Sequence, residues 1–346
     1  MPGKKHILVI RLSAMGDVAM TVPVLRALVL QYPDVKVTVL SRAFFNPFFE
    51  GLPNVNFIAA EVNGKHKGFF GLLRLYRELK PLRIDAVADL HNVLRSKIIT
   101  KLFAFNGKKT ATTDKARAQK KALTREKNKI FKPLIPVTQR HADVFRRLGF
   151  PIDMERPVFP DRKELSNEII AVTGEKTGTW IGIAPFAQHM GKVYPQDLMH
   201  MVVNELAEGS GYKLFLFGGG KKEAEILNLF AENRENIVVV AGKMNFNQEL
   251  ELISHLDIML SMDSGNAHMA AMLGIPTVTL WGATHPYAGF MPFNQPIENA
   301  LVANREKYPL LPTSVYGNKK VEGYEDAMRT ILPQDVISKI KEVLDK

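Results

Sequence analysis

Four short stretches of the chain carry residue types able to do chemistry on a phosphorylated substrate. In the first, Arg11, Ser13, Gly16 and Asp17 fall between an apolar run and an amphipathic stretch through Val18, Val22, Leu25 and Leu28. A carboxylate held there can take the proton of an attacking hydroxyl. Its plainer role is to stabilise a helix start, worth roughly 0.5 to 2 kcal/mol, and on these residues alone that role ranks first. A dinucleotide fingerprint needs three glycines in this turn and one is present, so NAD binding has little support. In the second stretch Lys192 follows the run Trp180 to Ala184 and precedes Pro195. A lysine beside a helix start meets a phosphate as a point charge, or is simply a surface lysine.

The third stretch sets Gly218, Gly219 and Gly220 after another apolar run, with Glu223 close behind. Such a turn can bring amides to an anion and a carboxylate to ribose hydroxyls, but it also makes an ordinary strand-to-helix turn. The fourth is the most informative: Asp263, Ser264, Gly265 and His268, then Ala270, Ala271 and the turn Gly274, Ile275, Pro276. Asp263 and Ser264 can cap a helix whose free amides face a diphosphate. A metal pair of Asp263 and His268 is disfavoured, because a five-residue offset puts them on different helix faces. His268 reads equally well as a buried, satisfied helix histidine.

Residues of these types work only if rigid elements hold them. Short β-branched runs alternate with amphipathic stretches along the whole chain, the pattern of parallel sheets covered by helices. Strands are expected at Ile7 to Leu12, Lys36 to Ser41, Val55 to Ala60 and Asp85 to Leu90. Further strands are expected at Trp180 to Ala184, Lys213 to Phe217, Ile237 to Ala241, Ile258 to Ser261 and Thr277 to Trp281. Each chemical stretch then lies just after a strand, where ligands of such sheets bind. A length of 346 residues suits two domains, and Phe150 to Arg162, with Pro151, Pro157 and Pro160, reads as the linker. Pro333 to Leu344 reads as a closing helix.

Composition narrows the class. Hydrophobic residues at 46% and charged residues at 23% describe a folded globular chain rather than a disordered or fibrous one. There is no run of 18 apolar residues and no cysteine, which removes spanning helices, disulfides and thiolate metal sites. With no visible signal segment, cytosol is the default. Net charge is +11, yet residues 1–150 hold 28 Lys and Arg against 10 Asp and Glu, leaving 18 against 25 for the rest. Thirteen of the cations lie between Arg95 and Lys132, among them Lys120, Lys121 and Arg125. Such a run is a solvated face or a polyanion site. Only Phe103, Phe105 and Phe131 are available there to stack bases, so nucleic acid is the weaker partner.

Taken in order, the first stretch with its following Pro23 to Leu28, Lys192 to Pro195, the glycine turn with Glu223, and Asp263 to Pro276 make the chain resemble glycosyltransferase family nine, the bacterial lipopolysaccharide heptosyltransferases. The resemblance implies a GT-B fold: an acceptor-binding Rossmann-like domain at 1–160, a nucleotide-sugar-binding one at 161–325, and a helix over 326–346 returning to the first domain. It implies an inverting transfer of a sugar, a heptose carried on ADP, to an anionic lipid-linked glycan at the cytoplasmic face of the inner membrane. By that similarity Asp17 is the catalytic base, while Lys192, Glu223, Asp263, Ser264, Gly265 and His268 hold the donor. Ser13, His91, Asn92, Arg95, Lys120, Lys121 and Arg125 would face the acceptor. No metal or cofactor is required on this reading, and the protein would be a monomer. The alternatives are a non-catalytic polyanion or nucleic-acid binder and a sugar-nucleotide epimerase of the same shape.

Overall fold

The computed structural model describes residues 5–162 and 164–346. The chain divides into two units. One holds the residues up to Ala116 together with Ile135–Val158, and the other holds Arg117–Leu134 together with Phe159–Lys346.

In the first unit β1 (His6–Ile10), β2 (Lys36–Ser41), β3 (Val55–Ala59), β4 (Ala86–Asp89) and β5 (Lys109–Thr112) form one parallel sheet, ordered β3-β2-β1-β4-β5. Every residue of β1 is buried, as a parallel strand covered on both faces requires. The helices are α1 (Met15–Ala19), α2 (Val22–Gln31), α3 (Gly68–Leu79), α4 (Leu94–Phe105) and α6 (Val137–Leu148), with α5 (Arg117–Thr124) interposed in sequence. Leu72, Leu75 and Leu79 of α3 join Ile99 and Phe103 of α4 in a core with Leu8, Ile10 and Val87. Both helices therefore cover one face of the sheet. Chain order reverses direction between β1 and β4, whose last residues Ile10 and Asp89 pair, so the loops after them open the crevice where such sheets bind ligands.

The second unit repeats the plan. Its strands are β6 (Thr179–Ala184), β7 (Tyr212–Leu216), β8 (Ile237–Val239), β9 (Ile258–Met262), β10 (Thr277–Trp281) and β11 (Ala300–Val302), all parallel in the order β11-β10-β9-β6-β7-β8. Its helices are α7 (Asn167–Thr173), α8 (Gln196–Ala207), α9 (Gly220–Ala231), α10 (Phe246–Ser254), α11 (Gly265–Met272) and α12 (Pro333–Leu344). The switch here lies between β6 and β9, where Ala184 pairs with Ser261. Among the described residues no helix is long and apolar enough to cross a membrane.

Two expectations are corrected. The closing helix belongs to the second unit, where Val336, Ile337 and Ile340 of α12 are buried in the same cluster as Met199, Val202 and Leu206 of α8. Gln334 adds a 2.6 Å bond to Glu205. An apolar stripe packs on the nearest complementary one, and α8 offers it. Nor is residues 1–160 one domain, since 117–134 belongs to the second unit. Lys129 Nζ holds that segment there by donating to the carbonyls of Leu123, Leu310 and Pro312 at 3.2, 2.7 and 2.7 Å. Phe131 packs on His285 and Tyr287 with Arg305 over its ring.

Candidate active site

The loop after β1 presents Asp17 in the first turn of α1, where its carboxylate accepts a long 3.4 Å bond from the Ala14 amide. Its strong contact is with Arg11, at 2.6 Å. Arg11 is buried and also donates to the Leu90 carbonyl at 2.7 Å, so the guanidinium spans the loops after β1 and β4 and fixes the carboxylate between them. The same carboxylate thus both closes the capping contact at the start of α1 and pairs with Arg11. Ser13 is half-buried in the same loop.

His91 follows β4 and is buried. Its Nδ1 accepts the Leu12 amide at 3.3 Å, which leaves the proton on Nε2. Burial, then the charges of Arg11 and Lys115, push its pKa down to about 3, so the ring is a neutral donor at physiological pH. The turn that carries it is built on Asp89, a fully buried carboxylate accepting the amides of His91 and Asn92 and the Ser96 hydroxyl. Asn92 takes positive φ there and donates its side-chain amide to the Thr113 carbonyl at 2.7 Å, tying the loop after β4 to the loop after β5. Arg95 is exposed in the first turn of α4.

On the second unit Lys192 Nζ sits 2.8 Å from the Asp263 carboxylate and 3.0 Å from its carbonyl, joining the loops after β6 and β9 at the switch point. The lysine stem lies against Gly317: a Cβ there would come within 2.5 Å of Lys192 Cγ, and Gly317 has φ +78°. Gly191 is equally confined, with the Gly317 carbonyl 2.8 Å from its absent Cβ, and its carbonyl accepts the Ala283 amide. These glycines let three loops converge on one lysine side chain. Ser264 Oγ meets Ser261 Oγ at 3.0 Å, Gly265 opens α11, and His268 is buried on that helix. Glu223, after the neighbouring β7, accepts the Gly219 amide at 2.6 Å and is half-buried.

The basic residues divide. Lys120, expected to face the acceptor, is buried in the second unit with its ammonium 3.8 Å from the Phe290 ring centre. Lys121 is exposed, and Arg125 is exposed with Nε bonded to the Asn128 carbonyl. Both lie in the second unit rather than on the first.

Sequence reasoning missed His141, wholly buried on α6 and within the field of Arg11 and Asp17, and Glu249, whose carboxyl burial raises to about 7. Glu249 had one signal, the Asn245 and Gln248 capping pair that places it in a first turn.

Two units, each a parallel sheet with charged loops at its switch point, are the two-domain α/β plan of the GT-B fold. The family model for glycosyltransferase family 9 (heptosyltransferase) matches residues 72–320. Lipooligosaccharide heptosyltransferase 2 of Haemophilus influenzae is 29% identical over 370 residues, covering 99% of this chain and all of that protein. The solved family 9 glycosyl transferase of Veillonella parvula superposes with a TM-score of 0.74 at 21% identity, covering 99% and 98% of the two chains. An Escherichia coli heptosyltransferase solved with ADP-2-deoxy-2-fluoro heptose gives 0.68 at 19%, covering 97% and 99%. The chain belongs to glycosyltransferase family 9 and is a glycosyltransferase.

Proposed function

We propose that the protein moves a heptose from ADP-heptose to the core of a lipopolysaccharide or related anionic lipid-linked glycan, with inversion, as a monomer at the cytoplasmic face of the inner membrane. The observation that carries this reading is Asp17, held by Arg11 at the switch point of the first sheet. The relatives' named substrates support the donor and acceptor.

In the transfer, an acceptor hydroxyl gives its proton to Asp17 as its oxygen bonds the anomeric carbon. The bond from that carbon to the diphosphate breaks on the opposite face, so configuration inverts. Lys192 meets the charge developing on the leaving diphosphate, helped by the free amides at the start of α11. Lys192 Nζ uses two of its three donors on the Asp263 carboxylate and carbonyl, which leaves the third for a phosphate oxygen. Glu223 receives ribose hydroxyls. No step requires a metal or cofactor. Ser13, His91 and Arg95 face the acceptor, with the neutral His91 ring offering a hydrogen bond rather than a charge; Lys121 and Arg125 add exposed positive charge.

The test incubates the protein with ADP-heptose and a core-truncated lipid acceptor and follows ADP release and product mass. Transfer with ADP formation is expected. Release of ADP that is indifferent to acceptor, or donor isomerisation without it, would overturn the reading in favour of hydrolysis or epimerisation.

A further inference from the structure

Three of the four most exposed large apolar side chains among the described residues lie on α3 and α4 of the first unit. Phe70, the third residue of α3, is 83% exposed, and Phe69 beside it 56%. On α4 the first and last residues, Leu94 and Phe105, are 75% and 87% exposed. At 3.6 residues per turn Leu94, Ile98, Lys101 and Phe105 fall on one stripe, opposite the buried Ser96, Ile99, Thr100 and Phe103. The same spacing places Phe70 and Arg77 opposite the buried Leu72, Leu75 and Leu79 of α3. The two helices are packed together through Tyr76 and Phe103, whose ring centres are 5.0 Å apart. Nothing in the core requires these outward rings.

The charge on this face is predominantly positive. Exposed cations on α4 are Arg95, Lys97 and Lys101, and that helix has no acidic residue. On α3 Arg74 and Arg77 stand against Glu78, which is already bonded to Arg74 and His66. Rings and cations interleaved on a helix face fit an anionic lipid interface, where rings enter below the headgroups and cations meet their phosphates. A second copy of this chain would bring like charges together.

We propose that the α3–α4 face docks on an anionic lipid leaflet, with Phe70, Leu94 and Phe105 inserted and Lys97 and Lys101 against headgroup phosphates. This rests on the proposed lipid-linked acceptor and identifies the surface that delivers the enzyme to it. Because α4 starts two residues after Asn92, docking sets the loop after β4 at the headgroup level, where a lipid-anchored glycan emerges.

Sedimentation of the full chain with vesicles of 30% phosphatidylglycerol in phosphatidylcholine, and with phosphatidylcholine alone, tests the proposal. The parent is expected to bind the anionic vesicles preferentially. The pair Phe70→Ser and Phe105→Ser should lower that partition by about tenfold or more. Lys97→Glu with Lys101→Glu should lower it by at least about fivefold per site and abolish the preference for anionic lipid. In parallel, transfer to a water-soluble deacylated acceptor should be unchanged in all four substitutions, while transfer to the same acceptor embedded in vesicles falls with binding. A parent that stays in the supernatant, variants that bind like the parent, or a concentration-dependent dimer that the variants dissolve would overturn the docking face. Loss of transfer to both acceptor forms by the parent, with vesicle binding intact, would overturn the proposed function and leave the surface standing.

Discussion

Asp17 and Lys192, to which the proposed transfer gives the base and the donor contact, are each held in an ion pair, one with Arg11 and the other with Asp263. For Asp17 this separates a base from a cap by experiment. Asparagine caps about as well as aspartate, yet Asp17→Asn should lower kcat by roughly 10² to 10⁴ while donor affinity is retained, as steady-state kinetics beside ADP titration would show. Activity within tenfold of the parent returns Asp17 to helix support. Lys192→Met should weaken ADP binding by roughly 1.5 to 3 kcal/mol in calorimetry, the range of a charge-assisted hydrogen bond. An unaltered dissociation constant removes Lys192 from the donor site. Both residues were legible in the sequence because each follows a strand and precedes a helix. Their partners were not: Arg11 and Asp263 were read for their own possible roles, and nothing in local spacing says that a guanidinium near one strand reaches the loop after another.

At the scale of elements, most strands fall where alternation and β-branching put them, and α12 spans the residues its proline and stripe predict. The failures are of a different kind. β5 carries the polar Lys109, Thr110 and Thr112, and β11 has only three residues, so neither presents an apolar run of strand length. The destination of α5 and α12 is a matter of which surface lies within reach, which periodicity does not encode. Lys120 on α5 illustrates the cost of reading cations as solvent-facing. Lys120→Ala should lower stability by about 1 to 2 kcal/mol in thermal or urea unfolding, since it removes a stem packed in the core and a contact with Phe290. A neutral effect would mean that the ring alone holds the segment.

On α6, His141 gives a pH signature of defined sign. Burial lowers its folded-state pKa from 6.5 to about 3, so the unfolded chain binds the proton more readily and stability is lost as pH falls below 6.5. Between pH 7.5 and 5 this single ring should account for about 2 kcal/mol. Glu249, raised to about 7, works in the opposite direction over much of the same interval. Comparing the slope of unfolding free energy against pH in the parent and in His141→Asn isolates the histidine contribution. Equal slopes would show that the ring is already protonated or solvated in the fold.

For the whole molecule, donor binding should appear as stability. ADP at a hundred times its dissociation constant adds about 2.7 kcal/mol if it binds the folded state alone, and a thermal scan should register it. An unmoved transition would count against a nucleotide site. The sequence showed two alternating halves and their basic and acidic bias, because strand spacing and charge are local properties. It did not show that the chain leaves the first unit at Ala116, returns at Ile135 and departs again after Val158.

That path has a consequence during synthesis. The carbonyls that Lys129 grips and the rings around Phe131 lie at His285, Tyr287, Leu310 and Pro312, up to roughly 180 residues downstream of Leu134. At ribosomal speeds of about 5 to 20 residues per second, the segment waits about 10 to 40 s for them. During that interval the first unit has all of its own strands, while Leu123 and Phe131 hang from it uncovered among Lys121, Arg125, Lys127 and Lys129. The density of positive charge on the segment therefore has a second use, keeping a nascent apolar loop apart from its copies on neighbouring ribosomes until the second unit arrives to take it in.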